Sequence, residues 1–230
     1  MSAMDGENKS NETPHSVTLK HDFYIGKMEM TREQRDAVMS INPSRGRGPY
    51  MPVENVSWDE AVAFCRELDK RFAKELPDGY RFDLPTEAQR EYAARGGNKS
   101  HGYKYSGSND VSDVAWYNNN AGGNHSVGTK QSNELGLYDM SGNVWEWCRD
   151  QYDPEYSDDP EFLTGNNPVN SGTNTERRHS DFGVGENYMV SRSGSWASGA
   201  LECRVSTRSR LLSSSHYDDL GFRLAIVLDK

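Results

Sequence analysis

Three cysteines provide the thiol chemistry available to this 230-residue sequence: Cys65, Cys148 and Cys203. Three thiols cannot all pair, and none lies in a Cys-x-x-Cys or Cys/His spacing typical of zinc sites. Cys65 falls on the apolar face of a predicted helix, so its expected role is core packing. Among the six histidines, His101 and His125 lie in loop-like sequence, where a solvated or structural role is favoured over metal ligation.

The elements that would position these groups change along the chain. Helices are predicted from Thr31 to before Asn42, from Ser57 to about Phe72, and from Thr86 to Gly96. Each begins with Ser or Thr followed three positions later by Glu or Gln, which is the capping-box pattern. Beyond Gly97 no helical period recurs, and short strands are predicted, among them 188–196 and 220–228.

The predicted fold class is α+β, with few short helices, short strands and much irregular loop. Residues 1–15 are predicted to be a disordered lead-in, and residues 16–230 a single domain. The polar stretch from 156 to 190 is predicted to be a surface insertion. Trp145 and Trp147 fall on one face of a strand, and both are expected to be buried.

Charge and hydropathy exclude two kinds of partner. The net charge of −9 and the pI near 5.2 lack the basic stripe that nucleic-acid binding requires. No stretch approaches the roughly 18 apolar residues of a membrane span, and the polar N-terminus has no signal-peptide pattern. We therefore expect no nucleic-acid partner and no direct membrane span in this chain, although a chain trimmed of its export signal would have the same appearance.

An ordered series of motifs runs from about residue 23 to residue 228. Its members are Phe23-Tyr24-Ile25-Gly26-Lys27, Asn42-Pro43-Ser44, Val56-Ser57-Trp58, Leu84-Pro85-Thr86-Glu87-Ala88, Tyr92-Ala93-Ala94-Arg95-Gly96-Gly97, Gly142-Asn143-Val144-Trp145-Glu146-Trp147, Ser193-Gly194-Ser195-Trp196 and Leu220-Gly221-Phe222-Arg223. Any one motif is weak, but the ordered series resembles the formylglycine-generating-enzyme, or sulfatase-modifying-factor, family. That resemblance implies a C-type-lectin-like fold.

The same resemblance bears on catalysis. The family's oxidases use two cysteines, five residues apart, after a Gly-Gly-Ser-(Trp/Tyr) motif. Here those positions fall near Ala200 and near Ser195 or Ala197, and none is a thiol. Cys203 is single and shifted, and a lone thiol cannot supply a two-thiolate copper site. We therefore expect a chain that is not an enzyme and holds no redox cofactor.

The segment from Ala197 to Asp219 resembles the variable region of proteins diversified by retroelements, which end in a motif like Leu-Gly-Phe-Arg-Leu-Ala. Those systems mutate adenines, and randomised AAC or AAT codons cannot produce Trp, Glu, Lys, Gln or Met. These five types occur once in the segment, as Glu202, where their share of the chain predicts about four. Residues 211–219 have neither helical nor strand period, which is unusual for a structural segment. The alternative is an ordinary Ser-rich loop.

This resemblance implies a ligand-binding surface in the tail. Nine scaffold positions are expected to be buried or hydrogen-bonded: Gly194, Trp196, Cys203, Arg204, Val205, Arg208, Leu220, Gly221 and Phe222. Twelve neighbours are expected to lie exposed on one face: Ala197, Ser198, Gly199, Leu201, Thr207, Ser209, Arg210, Leu211, Ser213, His216, Tyr217 and Asp218. The expected anchors are Arg210, Leu211, His216 and Tyr217.

A structural Ca²⁺ is a further implication of the family resemblance. By position, its ligands would be the carboxylates of Asp139 and Glu146 and the carbonyls of Gly142 and Val144. Hard oxygen donors suit Ca²⁺ and not zinc. The alternative is that Asp139 and Glu146 only accept hydrogen bonds from nearby backbone amides.

The expected function is receptor-like or adhesin-like ligand binding, at the bacterial cell surface or as a secreted protein. The partner would be an unidentified protein or cell-surface ligand. The alternatives are an oxidase with an atypical site, a partner subunit of such an oxidase, and a non-variable structural protein of the envelope. A cytoplasmic location stays open.

Overall fold

Two β-sheets and four short α-helices form the described part of the computed structural model, which covers residues 11–12, 14–45, 48–153 and 187–229. The mixed α+β class with short elements and long loops is confirmed. The predicted surface insertion lies almost entirely outside these residues, as does most of the predicted lead-in. The single-domain boundary at residue 16 stays a prediction.

The four-stranded sheet contains β3 (Trp145–Gln151), β4 (Tyr188–Arg192), β5 (Ser209–Leu212) and β6 (Leu220–Phe222), in the order β5-β4-β3-β6. β3 and β6 are parallel, and the other two pairs are antiparallel. Because β5 and β6 occupy opposite edges, residues 213–219 must cross the sheet to connect them. The sequence period had predicted no strand at β5, so that interpretation of the segment was wrong.

The three-stranded sheet contains β1 (Tyr24–Ile25), β2 (Tyr80–Asp83) and β7 (Ala225–Leu228), in the antiparallel order β1-β7-β2. The predicted strand 220–228 is therefore two strands in two sheets. The chain changes sheet at Arg223, whose buried guanidinium donates to the carbonyls of Gly26 and Tyr138.

The helices are α1 (Arg32–Asp36), α2 (Trp58–Phe72), α3 (Glu87–Ala94) and α4 (Val111–Val114). All three predicted capping boxes are present, at Thr31 with Gln34, Ser57 with Glu60, and Thr86 with Gln89. α1 is shorter than predicted. Among the described residues no helix combines the length and the apolar character needed to cross a bilayer.

The main core joins α2 to the four-stranded sheet. Trp147 is fully buried and its indole N–H donates to the carbonyl of Val56 at 2.9 Å. Phe64 of α2 meets Phe222 of β6 edge to face, with ring centroids 5.6 Å apart. Cys65 is buried within the same cluster, as predicted, whereas Trp145, which was predicted to be buried, is only half-buried against it.

Candidate ligand-binding surface

Two loops of the tail meet beside the start of β3. The Ser195 hydroxyl donates to the carboxylate of Asp219 at 2.7 Å and lies 3.1 Å from the Ser198 hydroxyl. The Trp196 indole approaches the carbonyl of Asp218 at 3.5 Å. The exposed ends of the segments 195–199 and 217–219 are therefore neighbours in space, although about twenty residues separate them along the chain.

Asn143 holds the loops around this junction. Its backbone N–H donates to the carbonyl of Trp116, and its carbonyl accepts from the amide of Trp196. Its side chain accepts from the His125 amide at 2.9 Å and donates to the His125 carbonyl at 3.1 Å. Asn143 is fully buried with φ of 62°, a left-handed conformation that Asn tolerates better than most residues. No local sequence pattern indicates this role for Asn143.

Gly142 explains why the motif has glycine before Asn143. Its φ is +77°, and a Cβ there would lie 2.4 Å from the carbonyl oxygen of Trp116. A side chain at this position would push the loop containing Trp116 away from β3. The Gly-Asn pair of the sequence motif is thus the geometric requirement for bringing the 116–125 loop against the tail.

The twelve predicted surface residues divide into three groups. Six are exposed: Ala197, Leu201, Arg210, His216, Tyr217 and Asp218. Five are partly buried: Ser198, Gly199, Ser209, Leu211 and Ser213. Thr207 is buried, with 2% of its surface exposed, which contradicts the prediction. Its hydroxyl donates to the carbonyl of Leu201 at 2.8 Å and so turns inward.

The predicted single face is also wrong for β5. Side chains alternate along a strand, and Leu211 packs against the main core beside Met189. Arg210 points to the opposite side of the sheet, where its guanidinium lies over the rings of Tyr152 and Tyr188 at 5.3 and 5.5 Å. Of the four predicted anchors, only His216 and Tyr217 belong to the loops that meet beside β3.

The nine scaffold predictions are confirmed. Seven of these residues are buried: Gly194, Cys203, Arg204, Val205, Leu220, Gly221 and Phe222. Trp196 and Arg208 are partly buried and hydrogen-bonded, the latter through two bonds of 2.6 and 2.8 Å to the carboxylate of Glu87. A Cβ at Gly221 would lie 2.2 Å from the carbonyl oxygen of Val53, so glycine is required there.

An acidic residue near the N-terminus lies against this scaffold. Glu12 is buried and makes two bonds to the guanidinium of Arg204, at 2.9 and 3.0 Å. It also accepts from the Ser206 hydroxyl at 3.0 Å, and the Asn11 carbonyl accepts from Arg208. These two residues contact the folded tail, although the sequence placed them in a disordered lead-in.

Glu146, one of the predicted calcium ligands, is already paired with protein cations. Both carboxylate oxygens of Glu146 are bound by buried arginines, Arg90 at 2.9 Å and Arg223 at 2.8 Å. Burial raises the pKa of Glu146, but Arg223 and Arg90 outweigh that effect and hold the pKa below its ordinary value. Two guanidinium groups at this distance would repel Ca²⁺.

Two other predicted calcium ligands also have protein partners. Asp139 accepts from the amide of Gly128 at 2.6 Å, which is the local role given as its alternative. The Gly142 carbonyl is 3.4 Å from the Ser193 hydroxyl. At Val144 the amide, and not the carbonyl predicted as a ligand, donates to Glu29 at 3.1 Å. In the part of the chain that the structure describes, no group of three or more His, Cys, Asp or Glu side chains is arranged to hold a metal.

Two buried acids lie beneath the Asn143 junction. Glu29 accepts from the Asn143 side chain at 2.6 Å. Burial, and then the neighbouring Asp139 and Glu146, raise the pKa of Glu29 well above its ordinary value. Burial also raises the pKa of Asp139 to about 6, against the opposing effects of the Gly128 amide and Arg223. In the folded state both groups hold a proton more readily than a carboxyl group in water does.

The three thiols are enclosed within the fold. Cys65, Cys148 and Cys203 are free and buried. Burial raises the pKa of Cys203 to about 12, and it raises the pKa of the other two as well. At the positions where the family resemblance places catalytic cysteines, Ser195 is buried and Ala197 and Ala200 are small apolar residues. The described site therefore lacks a thiolate nucleophile.

Comparison with known proteins supports this reading of the fold. Residues 2–228 match the model of the sulfatase-modifying factor enzyme 1-like domain. The chain belongs to this family. Within the family, the chaperone protein LppX of Paenibacillus barcinonensis is 32% identical over 94% of this chain and 84% of its own length. The formylglycine-generating enzyme of Streptomyces coelicolor is 32% identical over 77% of this chain and 53% of the enzyme.

Solved structures agree with the family assignment. Treponema denticola variable protein 1 is 32% identical and superposes with a TM-score of 0.76, covering 95% of this chain and 88% of that protein. PvdO from Pseudomonas aeruginosa has the same fold, with a TM-score of 0.76 at 23% identity over 99% of this chain and 90% of its own. The predicted lectin-like fold of the sulfatase-modifying factor type is confirmed, and so is the resemblance to a variable protein.

Proposed function

We propose that this member of the sulfatase-modifying factor family is a ligand-binding protein, and not an enzyme, that presents part of residues 197–219 to a partner. The observation that carries the proposal is that the segment contains both buried scaffold residues and exposed residues. Buried residues such as Cys203 and Arg204 lie between exposed ones such as Leu201 and Tyr217 along the segment. Side chains at the exposed positions can change without disturbing the residues that hold the backbone.

The backbone of these loops is anchored independently of the exposed side chains. The Tyr217 carbonyl accepts from the amide of Asn55 at 2.8 Å, and the Ser198 carbonyl accepts from the amide of Asn118 at 3.0 Å. Backbone bonds of this kind survive substitution of the side chains above them. The similarity to a protein named as variable supports diversification of the segment, and we place the protein at the cell surface or outside the cell.

The proposal that this chain is not an enzyme is supported by the state of its thiols. A family-type oxidase needs two reactive thiolates, and the described cysteines are buried with raised pKa values. Ser195, at one of the positions where the family resemblance places a cysteine, is hydrogen-bonded to the Asp219 carboxylate and the Ser198 hydroxyl and supplies no thiolate.

A chaperone function is the second candidate, because the Paenibacillus relative that matches most of this chain is named as a chaperone. In that case the exposed loops would bind a client protein. Both candidates predict protein binding by the same surface. They differ in whether the partner is bound in a folded or an unfolded state, which refolding assays of a bound client would distinguish.

Selection from a displayed random-peptide library tests the proposed function. The loop variant carries Leu201→Ser, Tyr217→Ser and Asp218→Asn, three exposed positions of the segment. A matched control variant carries Ile41→Ser, Tyr24→Ser and Asp22→Asn, which are exposed outside it. Peptides selected on the wild type should bind the control variant and lose at least tenfold in affinity for the loop variant. Selected peptides that bind the loop variant as well as the wild type would reject the proposal.

Diversification has its own test. The DNA next to the coding sequence should hold a reverse transcriptase and a near-copy of the codons for residues 197–219 that differs only at adenines. A locus without both would leave the segment as a fixed binding loop and reject its diversification.

A further inference from the structure

The tail loops are part of a larger ring of loops. We define the loop ring as residues 50–60, 116–127, 195–202 and 213–219. Its neighbours are joined by backbone amides: Asn55 to the carbonyl of Tyr217, Asn118 to that of Ser198, and Val127 to that of Tyr50, at 2.8, 3.0 and 2.9 Å. The Trp196 indole closes the ring at the Asp218 carbonyl. Half of this surface therefore comes from outside the C-terminal segment.

Large side chains are exposed around the ring. Tyr50 is 64% exposed, Leu201 54% and Tyr217 50%. On the wall formed by residues 116–127, the ring of His125 stacks on Trp116 with 3.7 Å between centroids and 9° between planes. Exposed aromatic and aliphatic groups distributed over several loops suit a protein partner, because such side chains provide most of the energy of protein interfaces.

The charges of the ring are predominantly negative. Asp218 and Asp59 are exposed, and Glu60, Glu202 and Asp219 are partly exposed. The four segments of the ring contain no Lys or Arg. His216 lies 3.0 Å from the Glu60 carboxylate. Lys130 donates to the Ser112 carbonyl and lies over the Trp116 ring. Arg210 is on the other side of the sheet.

We propose that the loop ring binds a cationic protein segment, one that presents Lys or Arg beside an aromatic or aliphatic side chain. This inference rests on the proposed ligand-binding function and names the chemistry of its partner. The carboxylates at the rim would attract the cations, while Tyr217, Leu201 and Tyr50 would pack against the apolar groups. Tyr50 and His125 would be fixed contacts, shared by proteins whose tails differ.

Two synthetic peptides serve as probes. The basic probe is a 12-residue peptide with four Arg and two Tyr spaced by Gly and Ser, and the acidic probe has Glu in place of each Arg. The wild type should bind the basic probe at least tenfold more tightly than the acidic one, and salt should weaken that binding. A neutral oligosaccharide, tested in the same titration, should not compete.

The charge contribution is isolated by two double variants with equal change in net charge. Asp59→Asn with Asp218→Asn removes two carboxylates of the ring, and Asp22→Asn with Glu67→Gln removes two elsewhere. The first should weaken binding of the basic probe at least fivefold, and the second should weaken it less than twofold. Tyr50→Ser should weaken it at least threefold. All variants should keep the melting temperature of the wild type.

Equal affinity for the two probes, equal loss in the two double variants, or competition by the oligosaccharide would overturn the cationic partner. A different result, from the library selection, would reject the proposed function. If the library peptides lose affinity for the loop variant but are acidic or neutral, the proposed function stands and the cationic partner is rejected. If the library peptides bind the loop variant as tightly as the wild type, the proposed function itself is rejected.

Discussion

Glu12 and Arg204 are 192 positions apart in sequence and form a buried two-bond ion pair at 2.9 and 3.0 Å. The pair attaches the beginning of the described chain to the scaffold of the C-terminal segment. Removing one member of a buried pair leaves the other charge without its partner, which is costly. The ion pair therefore connects the stability of the domain to a residue that lies far from the binding loops in the sequence.

Replacement of Glu12 by Ala should destabilise the protein. We expect the free energy of unfolding to fall by about 3 kcal/mol, the typical cost of breaking a buried pair from one side. The measurement is urea unfolding followed by tryptophan fluorescence. Glu67→Ala, which removes an acid from two surface ion pairs, is the control and should leave the unfolding midpoint unchanged. Equal midpoints for wild type and Glu12→Ala would show that the pair does not form.

Asp139 should make stability depend on pH. Its folded pKa of about 6 lies above the ordinary value of 3.8, so the folded state binds a proton that the unfolded state releases. This contribution is fully present below about pH 4 and is lost as the pH rises through 6, amounting to about 3 kcal/mol at 1.4 kcal/mol per pKa unit. Glu29, whose pKa is also raised, acts in the same direction.

The variant Asp139→Asn isolates this effect, because Asn tolerates the φ of 55° and keeps an acceptor for the Gly128 amide. The wild type should lose stability relative to this variant between pH 4 and pH 7, as measured by urea unfolding at several pH values. Parallel stability profiles for the two proteins would contradict the raised pKa of Asp139.

Calcium should leave the stability unchanged. Because Arg90 and Arg223 occupy the Glu146 carboxylate, an ion gains no binding energy at the predicted ligands and cannot shift unfolding by mass action. The melting temperature should therefore be the same with millimolar CaCl₂ and with EDTA. A rise with Ca²⁺ that Glu146→Gln abolishes would restore the calcium site predicted from the family resemblance.

The thiols should not react with a thiol reagent in the folded state. A thiol reagent such as DTNB should label none of the three cysteines in native protein within minutes and all three in denaturant, because burial raises their pKa values. A sulfatase-type peptide incubated with the protein, with or without copper, should keep its cysteine. Formylglycine formation that survives Cys203→Ala would show that another group performs the oxidation.

Local sequence patterns predicted the local structure well. The capping boxes at Thr31, Ser57 and Thr86 are each formed by two side chains three residues apart, and each is present. The same holds for the buried motif residues Trp147 and Phe222, whose types suit a core. Such features depend on near neighbours or on residue chemistry, and both are visible in a single sequence.

Features that depend on distant contacts could not be predicted. Thr207 is buried because its hydroxyl donates to the Leu201 carbonyl. The residue type does not predict this burial, because Thr is also common on protein surfaces. Arg210 and Leu211 lie on opposite faces of the sheet because residues 209–212 form a strand. No local sequence period predicted that this strand pairs with β4. The pairing of Glu146 with two arginines likewise joins residues 56 and 77 positions away.

The measurement that tests the central claim most directly combines melting temperature and affinity on the loop variant, Leu201→Ser with Tyr217→Ser and Asp218→Asn. Exposed substitutions cost less than about 0.5 kcal/mol each, so the melting temperature should stay within a few degrees of the wild type. Affinity for a library-selected peptide should fall at least tenfold, while the control variant keeps both properties. Unchanged affinity in a folded loop variant, or a loop variant that does not fold, would contradict a binding surface carried on an independent scaffold.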